Sequence, residues 1–194
     1  DYLNNVMYAH TVLGDKDRAE AFKASFNTGT LISFAKRLGA TMADLVLTLY
    51  NDPQNRYSSY KIGDLRRHLD RKALLLADPS ALGPVASQLG EAGRLSLLGD
   101  IASNKLAGEE PGLGLVMDLA GNNLKVVRET ALKTVATLDP SLREAEALKR
   151  LKAGDATMRE AMAGILVSLG TASARAALDA HLPGERAAAV RAVI

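Results

Sequence analysis

An all-α fold built largely of stacked helix pairs, an α-α superhelix, is predicted by three observations. Aromatic residues supply only 4% of the 194 positions, with no Trp, while Ala, Leu and Gly are plentiful. Such a composition suits closely packed helices better than sheets, which draw on β-branched and aromatic residues. Proline and glycine landmarks recur about every thirty residues through the C-terminal three-fifths of the chain. Between them, apolar residues fall at helical spacing and leave a polar opposite face.

The first 77 residues are helical in pattern but lack that period. Helices are expected over 2–13, 15–26, 30–38, 42–51 and 59–77, with Gly14, Gly29 and Gly39 between them. Thr41 followed by Asp44 reads as a capping box with Asp in place of the usual Glu or Gln. Asn51-Asp52-Pro53-Gln54-Asn55 is a turn. This non-repetitive helical region is expected to be either a set of atypical leading repeats or a cap over the open end of the stack, where an apolar face would otherwise meet water.

From residue 78 the repeat is explicit. Asp78-Pro79-Ser80-Ala81-Leu82 returns as Asp139-Pro140-Ser141-Leu142, with Glu110-Pro111 between, at spacings of 32 and 29. Each pair predicts a helix start, in which the acid caps free N–H groups and proline loses no hydrogen bond at the first helical position. The next unit opens with Gly170-Thr171, where the threonine caps. Within the units, Gly90, Gly121, Gly154 and Gly184 end the first helix, which predicts left-handed C-caps. Second helices follow, clearest in Leu124, Val127, Ala131, Val135 and Leu138 and in Met158, Ala161, Met162, Ile165, Leu166 and Leu169. The units are therefore about 79–109, 111–138, 140–169 and 171–194, a repeat region 78–194 following a helical region 1–77. One helix pair cannot bury its own apolar stripe, and stacking its neighbours can.

The second helices open with an apolar residue, then Arg, then small and apolar residues: Val127-Arg128-Glu129-Thr130-Ala131-Leu132 and Met158-Arg159-Glu160-Ala161-Met162, with Arg186 in a similar setting and Arg94 a fainter echo. In this the chain resembles the HEAT repeats over about residues 79–194. The resemblance implies an α-solenoid that offers a long surface to a partner. The acid that such repeats often carry in the turn between helices is irregular here, Asn122 in one unit and Asp155 in the next, so no continuous charge ladder is expected.

Formal net charge is +2, from 24 Lys and Arg against 22 Asp and Glu, so any charged site must be local. Cysteine is absent, which excludes disulfides and thiolate metal sites and fits a cytoplasmic protein. No apolar run approaches the ~20 residues of a membrane helix. The opening Asp1-Tyr2-Leu3-Asn4-Asn5 lacks the basic start of a signal peptide. A start without Met and an end at Val193-Ile194 within an amphipathic pattern lead us to expect a piece of a longer polypeptide.

Catalytic chemistry finds no positive support. His10, His68 and His181 lie far apart and read as partly exposed helix residues, with no zinc spacing. Asp15-Lys16-Asp17 begins like a calcium loop, but Ala19 and Glu20 break the pattern, leaving a capped helix start. The glycines of residues 108–114 lack the Gly-Lys-Ser/Thr ending of a phosphate loop and carry two acids. Glu109-Glu110 and Glu144-Glu146 read as solvated surface. No cofactor and no metal are expected.

Two groups of residues remain as contact candidates. Between 56 and 72 six basic residues face two acidic ones. Arg56, Tyr57, Tyr60, Lys61, Arg66, Arg67 and Arg71 form a local basic patch suited to an anion or acidic partner, or an ordinary solvated helix face with Arg66 and Arg67 paired to Asp70 and Asp64. On the second helices, Lys125, Arg128, Lys133, Arg159 and Glu160 are candidate repeat-face contacts. The leading expectation is a non-enzymatic scaffold segment binding a protein partner. The alternative is a nucleic-acid module like the HEAT-like DNA glycosylases, using 56–72; against it stand the near-neutral charge and the acidic balance of the repeats. A HEAT-like phycobilin lyase shares the repeat, but no residue points to a bilin.

Overall fold

The computed structural model of the chain describes residues 27–51 and 69–194. The helices expected over 2–13 and 15–26, most of 59–77 and the turn around Pro53 lie outside the described residues. Among those described, every regular element is helical and no strand occurs. The chain divides into two compact units, Asp1–Asp100 and Ile101–Ile194.

In the first unit the helices are α1 (Thr28–Arg37), α2 (Met42–Asn51), α3 (Arg71–Leu76), α4 (Leu82–Gln88) and most of α5 (Glu91–Ser103), with a 3-10 turn at Pro79–Ala81. Asn27 caps α1 by accepting from the Thr30 N–H at 3.0 Å. At α2 the capping box is complete and reciprocal: Asp44 accepts from the Thr41 N–H at 2.9 Å and Thr41 Oγ1 from the Asp44 N–H at 3.1 Å. The Thr41 hydroxyl also donates to Asp44, and these bonds hold that carboxyl below its ordinary pKa. A helix running unbroken to 77 is not observed. Asp70 turns its carboxylate onto the Ala73 N–H at 3.0 Å and so caps a new helix, α3. Helix α1 packs on α2 and α3, and α2 on α4, around Leu31, Val46, Leu74, Leu75 and Val85.

The second unit holds α6 (Gly112–Ala120), α7 (Lys125–Ala136), α8 (Pro140–Ala153), α9 (Ala156–Leu169), α10 (Ala172–His181) and α11 (Ala188–Val193), with 3-10 turns at Leu106–Gly108 and Leu182–Gly184. These are three successive helix pairs at the periods read from the sequence, an arrangement compatible with a helical repeat fold. Helix α9 packs against α6, α8, α10 and α11 and is the centre of the unit. Val127, Ala131, Val135, Ala147, Met162, Ala163, Leu166, Ala174 and Val190 are all at most 1% exposed. Each buried Val or Leu contributes ~1.5–3 kcal/mol. The alanines let helix backbones approach closely.

The helix starts differ in detail from expectation. Asp139 caps α8 with Pro140 at its first position, and Thr171 caps α10, as the landmarks predict. Asp78 instead takes the Ser80 hydroxyl and leads into a 3-10 turn, and Pro111 itself occupies the N-cap place of α6 while Glu110 reaches the Gly114 N–H at 3.2 Å. The expected left-handed glycine caps are not found at Gly90, Gly121, Gly154 or Gly184, since the positive-φ glycines of the described residues are Gly39 and Gly170. Gly121 and Gly154 serve a steric purpose. A Cβ on Gly121 would lie 2.5 Å from Met158 Cε, and one on Gly154 2.4 Å from Met158 Cγ, so both turns close around one side chain.

Candidate functional site

The arginines of the second helices share one geometry. Arg94, Arg128 and Arg159 are each the fourth residue of their helix. Arg94 donates to the Ala86 and Ser87 carbonyls at 2.9 and 3.0 Å, Arg128 to the Asn122 and Asn123 carbonyls at 2.8 and 3.4 Å, and Arg159 to the Gly154 carbonyl at 2.8 Å. Each thus satisfies carbonyls left open where the first helix ends. In the last pair the helix begins at Ala188, so Arg191 rather than Arg186 takes the fourth place, and Arg186 is exposed ahead of it.

Arg159 also reaches the next pair. Its Nε and Nη2 grip Glu185 at 2.6 and 3.0 Å, while Glu185 accepts from the Ala187 N–H at 2.7 Å and meets His181 Nε2 at 2.9 Å. The Glu185 side chain is 1% exposed, and the Arg159 bond, the Ala187 N–H and His181, in that order, hold its carboxyl well below the usual range. This is a single rung of the inter-repeat ladder. Asp155, the corresponding acid one pair earlier, caps its own helix through the Met158 N–H at 2.8 Å instead. His181, expected as a partly exposed helix residue, is half-buried in this cluster. Glu185 directly precedes Arg186 in the sequence, and only the register shift to Arg191 identifies it as the turn acid.

Along the first helices Arg150 plays the parallel part. It donates to Asp118 at 3.0 Å and the Gly114 carbonyl at 3.2 Å on α6, and it is bonded to Glu146 one turn back. Glu146 is therefore committed to an ion pair and only 15% exposed, not solvated.

The repeat-face candidates separate. Arg128 and Glu160 both line an open groove of about 360 Å³ between α7 and α9, whose apolar lining includes Leu132, Val135, Ala161, Gly164 and Ile165 and whose wall includes Arg143. Lys133 lines a second groove of about 580 Å³ with Lys105, Thr130, Thr134 and Thr137. Lys125 is exposed and pairs with Glu129 one turn on at 3.8 Å. Arg159 serves the rung just described. Of the basic patch, Arg56, Tyr57, Tyr60, Lys61, Arg66 and Arg67 lie outside the described residues. Arg71, expected outward or flanking, turns in: its Nη1 donates to the buried Asp100 at 2.6 Å, beside the Tyr50 hydroxyl at 2.7 Å from the same carboxylate.

Among the described residues no three His, Asp or Glu side chains gather in a way that would hold a metal ion, and no helix is long and apolar enough to cross a membrane. Comparison with known proteins finds no matching family model, no similar curated protein and no similar solved structure. The class defined by the fold is thus an all-α protein compatible with a helical repeat architecture.

Proposed function

We propose that the chain is a HEAT-like α-solenoid segment that acts without catalysis, binding a protein partner along its second helices. The observation that carries this reading is the open α7–α9 groove, whose lining divides between apolar Leu132, Val135, Ala161 and Ile165 and charged Arg128, Arg143 and Glu160. Protein-binding grooves have that division, an apolar centre that excludes water and a polar rim that sets orientation. The nucleic-acid alternative draws on the stretch 56–72, and its described arginine, Arg71, is already held by Asp100. A duplex would also need positive charge along the repeats.

The test places a photo-crosslinking amino acid at Glu160 in the groove and, as control, at Lys152 on α8. Illumination in cells should yield polypeptide adducts at 160 and few at 152. Adducts to nucleic acid at 160, or equal polypeptide adducts at both positions, would refute the reading.

A further inference from the structure

Arg143 differs from the other half-buried arginines of the second unit. Arg128, Arg150 and Arg159 each bond a carbonyl or a carboxylate of the protein. Arg143 stands half-buried on the groove wall, and its Nε is shielded from solvent with no hydrogen-bond partner. Asp139, one turn earlier, accepts the Ser141 N–H and hydroxyl on Oδ1 at 2.8 and 2.5 Å and feels the Arg143 charge through space without a hydrogen bond to it. The shielded Nε is out of a ligand's reach, but the two Nη groups also make no hydrogen bond among the described residues and are not shielded, and a carboxylate is the acceptor that suits these donors best. Arg128 lines the same groove with one Nη on the turn carbonyls, so the lining holds two guanidinium groups and one acid, Glu160. The floor between them is apolar, and at Gly164 it is open: a Cβ there would meet nothing within 4 Å.

We propose that the α7–α9 groove selects a protein segment in which an acidic residue is flanked by apolar ones, with Arg143 receiving the carboxylate and the notch at Gly164 receiving an apolar side chain. This rests on the protein-binding reading above and adds the chemistry of the partner. The volume is near the lower end of ligand sites, so a few side chains of a linear segment fill it rather than the face of a folded domain.

The full chain is screened against phage-displayed random peptides, and the selected peptides are synthesised and titrated by fluorescence anisotropy. The expected peptides carry Asp or Glu beside Leu, Ile or Phe. Arg143→Ala should weaken them about tenfold, the loss of one charge-assisted hydrogen bond. Gly164→Leu should weaken them at least as much by filling the notch, and thermal melts check that both variants fold. Should Gly164→Leu fail to fold, Arg143→Glu, a change on the groove wall, gives the same reading. Selected peptides that bind both variants unchanged would overturn the groove assignment while leaving protein binding intact. Basic peptides would overturn the chemistry. If no peptide is selected and a single-stranded or duplex oligonucleotide binds through Arg143, this inference and the protein-binding reading fall together; if nothing binds, the inference is overturned.

Discussion

Three glycines of the second unit respond oppositely to one substitution. Gly154 has φ −75° and ψ 164°, which alanine adopts freely, so any cost of Gly154→Ala comes from its neighbours. The added Cβ would sit 2.4 Å from Met158 Cγ, 2.6 Å from Met158 Cβ and 3.0 Å from the Arg150 carbonyl oxygen. The first two atoms are at the root of the side chain and move only with the backbone of α9, so the overpacking cost is ~1–3 kcal/mol. At Gly121 the nearest atoms are Met158 Cε and Sδ at 2.5 and 2.8 Å, the flexible end, with Met158 Cα at 3.0 Å. Gly121→Ala should therefore cost less. Gly164, inside α9 and facing open space, should gain ~0.5–1 kcal/mol from the better helix propensity of alanine. Thermal melts followed by circular dichroism read these as shifts of ~2–4 °C per kcal/mol for a chain of this size. A double-mutant cycle with Met158→Ala sharpens the test, because it removes Cγ, Sδ and Cε but leaves Cβ. It should rescue most of the Gly121→Ala loss and only part of the Gly154→Ala loss. A neutral Gly154→Ala, or equal rescue of the two, would refute the close approach around Met158.

Two further perturbations probe the buried polar clusters. Tyr50→Phe removes the hydroxyl 2.7 Å from Asp100 and should cost ~1–3 kcal/mol, read as a lower urea midpoint at unchanged slope, and no change would mean that Asp100 is satisfied without the Tyr50 hydroxyl. Because the folded-state pKa of Glu185 is depressed, its contribution is complete above its ordinary value of 4.5 and is lost as pH falls from there toward the folded value. Glu185→Gln should accordingly lower the melting temperature at pH 7, with the gap starting to narrow only as pH falls below about 4.5 and closing toward the folded value; a gap that does not narrow as pH falls would show that the carboxylate charge is not what holds α11.

The helix pairs of the second unit were legible because their signals are local. Asp139-Pro140, Thr171 and the apolar spacing of Val127, Ala131 and Val135 act within one or two turns, and each is observed where the spacing placed it. Thr41 and Asp44 likewise form their box although the acid is one methylene shorter than usual. The glycines were located correctly and explained wrongly. Their positions follow from sequence, whereas the reason at 121 and 154 is a side chain on another helix, and no local pattern encodes that distance. The break at Leu69-Asp70 escaped for a related reason: the apolar stripe of 59–77 continues through it, and the periodicity does not distinguish Asp70 as a cap from Asp70 as a surface residue.

The site was legible in a more instructive way. Arg128 and Arg159 were singled out because they recur, and recurrence in a repeat chain marks what every unit needs to fold. Both arginines, with Arg94, prove to be bonded to turn carbonyls at the same helix position. A residue free to serve a partner has no reason to repeat, since neighbouring units can present different surfaces on one scaffold. Glu160 and Arg143 illustrate the point. Glu160 entered as the neighbour of a motif arginine, and Arg143 drew no notice in a helix rich in Lys and Arg, yet both line the groove. What sets Arg143 apart is a missing acceptor, a property of the packed molecule that no single-chain spacing contains. On the proposed reading, contact residues are therefore to be sought among the polar side chains that the folded unit leaves unsatisfied, not among those that recur from one helix pair to the next.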